Sequence, residues 1–455
     1  MDNNQSEPSG LHKRILDRHR QMLEENARNE REMQDRFLKS RQEGLEQVAE
    51  LFLHQTEAAG GTPSSEVLSQ PTPKELAYKR VQLEEFASGD VVKCLGAEYA
   101  VYNGRRTPRI PNGELLLMDR VISIQGERFH PAPGAEIVVE YDVPADAWYY
   151  HDNSYPTMPY SVFMEIALQP CGFLSAHLGT QLMFPEENYY FRNLDGEGRI
   201  LRQIDLRGKT ITTRARLHKT MVSGTQIIQK FDFQLSTDGL SIFEGNSVFG
   251  FFPPDAMANQ IGRDGGKETL PLYEQPGRGG LSGTRLDLDE SSFYLSPKDS
   301  PNYRLPSGKL KFLKEVFVSP AGGRSHKGYV YANKPVDAQD WFYACHFYQD
   351  PVMPGSLGVE AILEAIQAFA LAQDLGRELR SPHFELVQEH TMLWKYRGQI
   401  LPTNKMMKVE VHLTKVERST SQVLIMGDAS LWADGVRIYE VMDVAIRLLE
   451  GNDDQ

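Results

Sequence analysis

His346-Phe-Tyr-Gln-Asp-Pro-Val-Met-Pro-Gly355-Ser-Leu-Gly-Val-Glu360 sets a histidine in an aromatic and apolar run, turns at Pro/Gly, and continues with helical periodicity. A histidine in such surroundings suits a base on the wall of an apolar cavity, because its charge changes near neutrality. The first turn of a helix beyond Gly355 offers N–H groups with no partner inside the helix, which can hold a carbonyl oxygen. Glu360 adds a carboxylate fourteen residues after the histidine.

The stretch has a copy upstream. Arg109-Ile-Pro-Asn-Gly matches Arg304-Leu-Pro-Ser-Gly at an offset of 195 residues. The same offset sets His151 on His346, Pro156 on Pro351, Met158 on Met353, Pro159 on Pro354 and Glu165 on Glu360. Leu206-Arg-Gly-Lys-Thr is similar to Tyr396-Arg-Gly-Gln-Ile, and Ile242-Phe-Glu to Ile438-Tyr-Glu. So many coincidences at one shift define a duplicated fold. The copies run over residues 76–255 and 298–450, and a Gly-, Asp-, Ser- and Pro-rich crossover over 256–297 joins them.

Each copy carries the same series of patterns. A strand pair around 115–124 or 310–318 comes first, then a strand at 135–141 or 327–332, then the histidine stretch. One apolar helix follows, 160–177 or 355–373, and then alternating segments such as 210–217, 227–235 and 241–251. A single apolar helix followed by long alternating strands predicts an antiparallel sheet wrapped around a central helix, an α+β class.

Residues 1–75 precede the copies. Positions 11–56 are rich in Arg, Glu, Gln and Leu with a thin apolar stripe, which predicts a solvated connector helix. The Gly-, Ser- and Pro-bearing run 58–74 reads as a linker. The chain has no run near the roughly 20 apolar residues of a membrane span, and its N-terminus lacks the apolar core of a signal peptide. Three cysteines without a CxxC pairing suggest neither disulfides nor a zinc site. Together these predict a cytoplasmic protein.

A net charge of −13 argues against nucleic acid as partner. One run opposes that sign: Arg199, Arg202, Arg207, Lys209, Arg214, Arg216 and Lys219, with Asp205 the one acid among them. It reads either as solvated strand faces or as a docking face for an acidic partner.

The run His346-Phe-Tyr-Gln-Asp-Pro-Val-Met-Pro-Gly355 with Leu357-Gly358 resembles the signature of the β-hydroxydecanoyl-ACP dehydratase family, the hotdog-fold dehydratases of fatty acid synthesis. Leu117-Met-Asp-Arg120 is similar to that family's early strand. The tandem layout, with Leu95-Gly-Ala-Glu-Tyr-Ala-Val101, is most similar to the dehydratase regions of polyunsaturated fatty acid synthases and related iterative polyketide synthases. The resemblance implies a tandem (double) hotdog in which each site is shared: the base comes from one hotdog, and an acid plus Gln, spaced D-x-x-x-Q, come from the helix of the other.

Carried over, this pairs His346 with Glu165 as the catalytic residues. Gly355 and Gln169 join Phe347 and Met353 in binding substrate. Glutamate stands at 165 where the family has aspartate, and its extra methylene moves the carboxyl by about one bond, which makes its placement matter. The mirror pair, His151 with Glu360, has Tyr160 in place of glycine and Glu364 in place of glutamine, and is expected to be degenerate. Asp350 reads as a turn cap, and Cys345 as inert packing.

The implied activity is removal of water from a 3-hydroxyacyl thioester, which needs a near-neutral base, a carboxyl group and a donor for the thioester oxygen. No metal or redox cofactor is implied, since nothing in the chain resembles a nucleotide loop or a ligand cluster, and the resemblance implies a substrate carried on the phosphopantetheine of an acyl carrier protein. That carrier is the implied partner, with other synthase domains or subunits met through the N-terminal helix, and a homodimer is compatible. Two alternatives share the fold: a non-catalytic acyl-binding or scaffolding module, and a dehydratase that also isomerises trans-2 to cis-3 enoyl thioesters.

Overall fold

The computed structural model describes residues 76–276, 281–298 and 300–451. The connector helix and linker expected within residues 1–75 lie outside them. The first half contributes strands β1 (Tyr78–Lys79), β2 (Arg120–Gln125), β3 (Glu136–Asp142), β4 (Tyr190–Ile200), β5 (Thr210–Ser223), β6 (Gln226–Thr237) and β7 (Leu240–Phe252). The second contributes β8 (Thr284–Asp287), β9 (Glu315–Ser319), β10 (Tyr329–Pro335), β11 (His383–Leu386), β12 (Thr391–Tyr396), β13 (Met406–Arg418), β14 (Gln422–Ala433) and β15 (Val436–Leu449).

These strands form one antiparallel sheet ordered β1-β2-β3-β5-β6-β7-β4-β12-β15-β14-β13-β10-β9-β8, with β11 beside β15. The order is a palindrome about the β4–β12 seam: β4, β7, β6, β5, β3 and β2 correspond to β12, β15, β14, β13, β10 and β9. The seam runs in register from Thr391 opposite Arg199 to Lys395 opposite Asp195. Asp195 is 2% exposed and receives both terminal nitrogens of Arg397, at 2.7 and 3.0 Å, so an ion pair crosses the seam. Trp394 Nε1 donates to Asn193 Oδ1 at 2.7 Å beside it.

Each half wraps its sheet around one helix, Tyr160–His177 in the first and Gly355–Ala372 in the second. Both are apolar on nearly every side because sheet surrounds them, as expected of a helix buried in a core. The second is the one described helix long and apolar enough to cross a membrane, and 83% of it is buried within the fold. This is the tandem hotdog. The two helices touch near their N-terminal ends.

Two expectations change. The segments at 115–124 and 310–318 are not strand pairs: a 3-10 turn at Gly113–Leu115 or Gly308–Leu310 precedes the single strand β2 or β9. The crossover is not a bare link either. It supplies β8 to the sheet edge and lies on the outer face of the second half. There Tyr273 stacks on Tyr331 at 4.8 Å, Trp432 Nε1 donates to Thr269 O at 2.8 Å, and Arg263 pairs with Glu440 at 2.7 Å. These aromatic and ionic anchors hold its described residues down.

Candidate active site

The two glycines of the second helix decide what surrounds its N-terminus. Gly355 is its first residue, and a Cβ there would meet the Tyr396 ring at 2.6 Å; a Cβ on Gly358 would collide with Tyr439. Tyr396 OH donates to Gly355 O at 3.2 Å. The absence of side chains therefore lets sheet tyrosines close on the helix while its first-turn N–H groups keep no partner within the helix.

Ser356 follows Gly355, and its hydroxyl donates to Glu165 Oε1 at 2.6 Å. Glu165 belongs to the helix of the other half, so this bond sets the acid of one hotdog against the helix N-terminus of its neighbour. Gln169, one turn along, donates Nε2 to Glu165 Oε2 at 3.2 Å and to Leu115 O at 2.7 Å, while its Oε1 accepts from Leu117 N–H at 3.0 Å. Gln169 is thus fully engaged and orients the carboxyl. Glu165 is 7% exposed, and burial raises its pKa against the two hydrogen bonds that favour the ionised form.

His346 caps the short helix Phe342–Cys345 and begins the turn that leads to Gly355. Its Nδ1 lies 2.8 Å from Val352 O. A carbonyl only accepts, so Nδ1 carries the proton and Nε2 keeps its lone pair. Burial pushes the imidazole pKa down to about 3, so the ring is neutral at physiological pH. The turn is closed by Phe347 N–H to Asp350 O at 2.9 Å and Val352 N–H to His346 O at 2.8 Å. Phe347 packs on the histidine ring at 3.6 Å between centroids, and Met353 is 2% exposed in the core. Cys345 has a thiol pKa raised by burial, in keeping with packing.

The mirror region differs from the expectation at one residue. Glu360 Oε2 accepts from Ser161 N–H at 3.3 Å, the pseudo-symmetric counterpart of the Glu165–Ser356 contact, and burial raises the Glu360 pKa to about 7. His151, however, is exposed, and its ring is not at this site. The residue in the register of His346 is Asn153. It caps the helix Trp148–Asp152, and its Nδ2 donates at 2.6 Å to Thr157 O, the counterpart of Val352 O.

Neighbouring bonds agree: Ser307 N–H donates to Asp152 O at 2.7 Å just as Asn112 N–H donates to Cys345 O at 2.9 Å. The loop before Pro156 is two residues shorter than the one before Pro351, so an ungapped shift of 195 slides past the correspondence. Trp148 and Trp341, whose rings meet at 5.0 Å, align at 193 and are the sequence signal that finds it. Tyr155 and Tyr160, 2% and 3% exposed, fill the space in this half.

The basic run is largely neutralised. Arg207, Lys209 and Arg214 pair with Asp205, Asp238 and Glu136 at 2.8, 2.6 and 2.6 Å, and Arg199 pairs with Glu244. These are solvated strand faces. No group of three or more acidic, His or Cys side chains suited to a metal occurs among the described residues.

Fold and geometry together define a double-hotdog protein with a candidate site between its halves. A family model described as FabA-like domain matches residues 110–246 and again 305–442, more than half of the chain, and the chain belongs to that family. It is 31% identical over 411 residues to a polyunsaturated fatty acid synthase subunit from Thraustochytrium sp., a match covering 86% of this chain. The chain spans only 27% of that relative's length. Among solved structures, the dehydratase domain from the CurJ module of curacin polyketide synthase is similar at 13% identity and a TM-score of 0.41, over 74% of this chain and 98% of that one. A dehydratase-cyclase domain from ambruticin biosynthesis is similar at 12% identity and 0.37, over 73% and 95%. These two likenesses are too remote to bear on activity.

Proposed function

We propose that this protein is a 3-hydroxyacyl-[acyl-carrier-protein] dehydratase acting within a fatty acid or polyketide synthase, with one working site at the junction of its halves. His346 Nε2 takes the α-proton, and the Gly355 N–H holds the thioester oxygen as charge gathers on it. The Cα–H electrons form the Cα=Cβ bond, the Cβ–O bond breaks, and Glu165 gives its proton to the departing hydroxyl, which leaves as water. The proton on His346 then returns to Glu165 to reset the site. A buried carboxyl with a raised pKa suits the acid, and a neutral imidazole with a free Nε2 suits the base.

The observation that carries this reading is the Ser356–Glu165 hydrogen bond. It sets the acid of the first helix beside the glycine turn of the second and seats the longer Glu side chain. The acyl carrier protein supplies the substrate on its phosphopantetheine, and the relative's synthase setting supports that partner.

Hydration of a crotonyl or longer enoyl thioester tests the reading through the reverse reaction. The wild-type protein should hydrate it, with His346→Ala and Glu165→Gln slower by about 10²- to 10⁴-fold. Equal rates for the wild type and His346→Ala would sink the proposal. Binding of an acyl-pantetheine without turnover would favour the non-catalytic module instead.

A further inference from the structure

The turn carrying His346 is held from outside its own half. Asp350 lies in that turn, two residues before Val352, whose carbonyl fixes the imidazole. Arg192 reaches it from β4 of the first half: Nη1 donates to Oδ2 and Nη2 to Oδ1, both at 2.7 Å. The two side chains are 11% exposed each. Arg192 Nε donates to Gln399 Oε1 at 2.8 Å, Nη1 also to Phe191 O at 3.0 Å, and its guanidinium stands 5.1 Å from the Tyr190 ring centre. Four of the five guanidinium N–H bonds thereby have acceptors.

A bidentate pair fixes angle as well as distance, which a single hydrogen bond or a lysine does not. A buried pair adds little net stability, because desolvation offsets the attraction, and its best-attested use is to set register. The register at stake here is that of the base relative to the half that supplies the acid. Arg192 and Glu165 are both in the first half, whereas His346 and Gly355 are in the second. In the first half, position 155, which corresponds to Asp350, holds a tyrosine.

We infer that Arg192 is a positioning residue for the base: through Asp350 it locks the turn that aims His346 Nε2 into the shared site. The inference rests on the dehydratase reading for its kinetic consequence, and its structural consequence stands apart from that reading. With histidines ¹⁵N-labelled and the signal assigned by its loss in His346→Ala, the Nδ1–H bonded to Val352 O should exchange slowly in wild type. Arg192→Gln should speed that exchange by about tenfold or more while the melting temperature stays within a few degrees.

In the enoyl hydration assay, Arg192→Gln and Asp350→Asn should each lower kcat by roughly 10- to 100-fold, the scale expected for a misplaced catalytic group, with KM changed by less than about threefold. Arg192→Lys should restore only part of kcat, and the double variant should be no slower than the slower single one. Unchanged exchange in Arg192→Gln, or a rise in KM at constant kcat, would overturn the inference. If wild type fails to hydrate the thioester yet exchange responds to Arg192→Gln, the clamp stands and the dehydratase reading falls.

Discussion

Glu364 is a fully buried carboxyl that stands where the first helix has Gln169. Its Oε2 accepts from Phe312 and Leu313 N–H at 2.9 and 3.1 Å, and Tyr294 of the crossover donates to Oε1 at 3.2 Å. Burial nevertheless raises its pKa from 4.5 to about 8. Between those values the folded protein binds a proton that the unfolded chain has released, so stability falls as pH rises from about 5 to 8. Glu360, raised to about 7, adds to the same trend. Glu364→Gln removes one of these titrations and copies a side chain the first half already accommodates. Its melting temperature relative to wild type should climb by a few degrees between pH 5 and pH 9, measured by calorimetry. A pH-independent difference would contradict this account.

At this scale, most residues of the candidate site could be picked out in the sequence, since they lie in local motifs. The partners of those motifs could not. Arg192 carries no motif, and only the fold brings it to Asp350, 158 residues away. Asn153 was hidden because its two-residue deletion is invisible to an ungapped comparison.

Among the elements, the second helix shows how a glycine does its work. Gly355 has no left-handed backbone to justify it; the Tyr396 ring leaves no room for a methyl group. Gly355→Ala should therefore displace the helix N-terminus or Tyr396 and lower kcat of enoyl hydration by about tenfold or more, since a small shift at a reacting group costs that much. Combining it with Tyr396→Ala, which vacates the space, should recover part of the loss if crowding is the cause. The helices themselves were legible, 160–177 to the residue and 355–373 to within one, because their apolar periodicity is long and a Pro precedes each. The strands at 227–235 and 241–251 were legible to within two residues, whereas the expected 210–217 stops six residues short of the end of β5, which runs on to Ser223 along an exposed hairpin where the side-chain pattern no longer tracks the backbone pairing.

For the whole molecule, the palindromic sheet turns two repeats into one structure. Asp195, 2% exposed, and the half-buried Arg397 hold the seam from opposite halves. Asp195→Ala leaves the guanidinium unpaired there and should cost about 3–5 kcal/mol, the scale for breaking a buried ion pair. The loss should appear in calorimetry as one transition moved to lower temperature. Separate melting of the halves would show that the seam does not couple them. The duplication could be read from the offset of 195, yet the order of strands across the seam could not. Neither β4 nor β12 announces by its own residues that its neighbour is the other copy.

The first helix carries Tyr160 and Phe163 where the second carries Gly355 and Gly358, and the strands around each helix are fitted to that difference. Gly198 makes room for Tyr160 in the first half, and Tyr396 and Tyr439 press on the glycines in the second. Each helix is thus cut as a key for its own sheet. Placed in the wrong sheet, the first would jam against two tyrosines, and the second would rattle in a hole lined by Phe243. Tandem repeats characteristically fail by exchanging equivalent parts as they fold. This protein has written the correct assembly into the bulk of four positions, so the asymmetry between its two helix N-termini also tells its two halves apart.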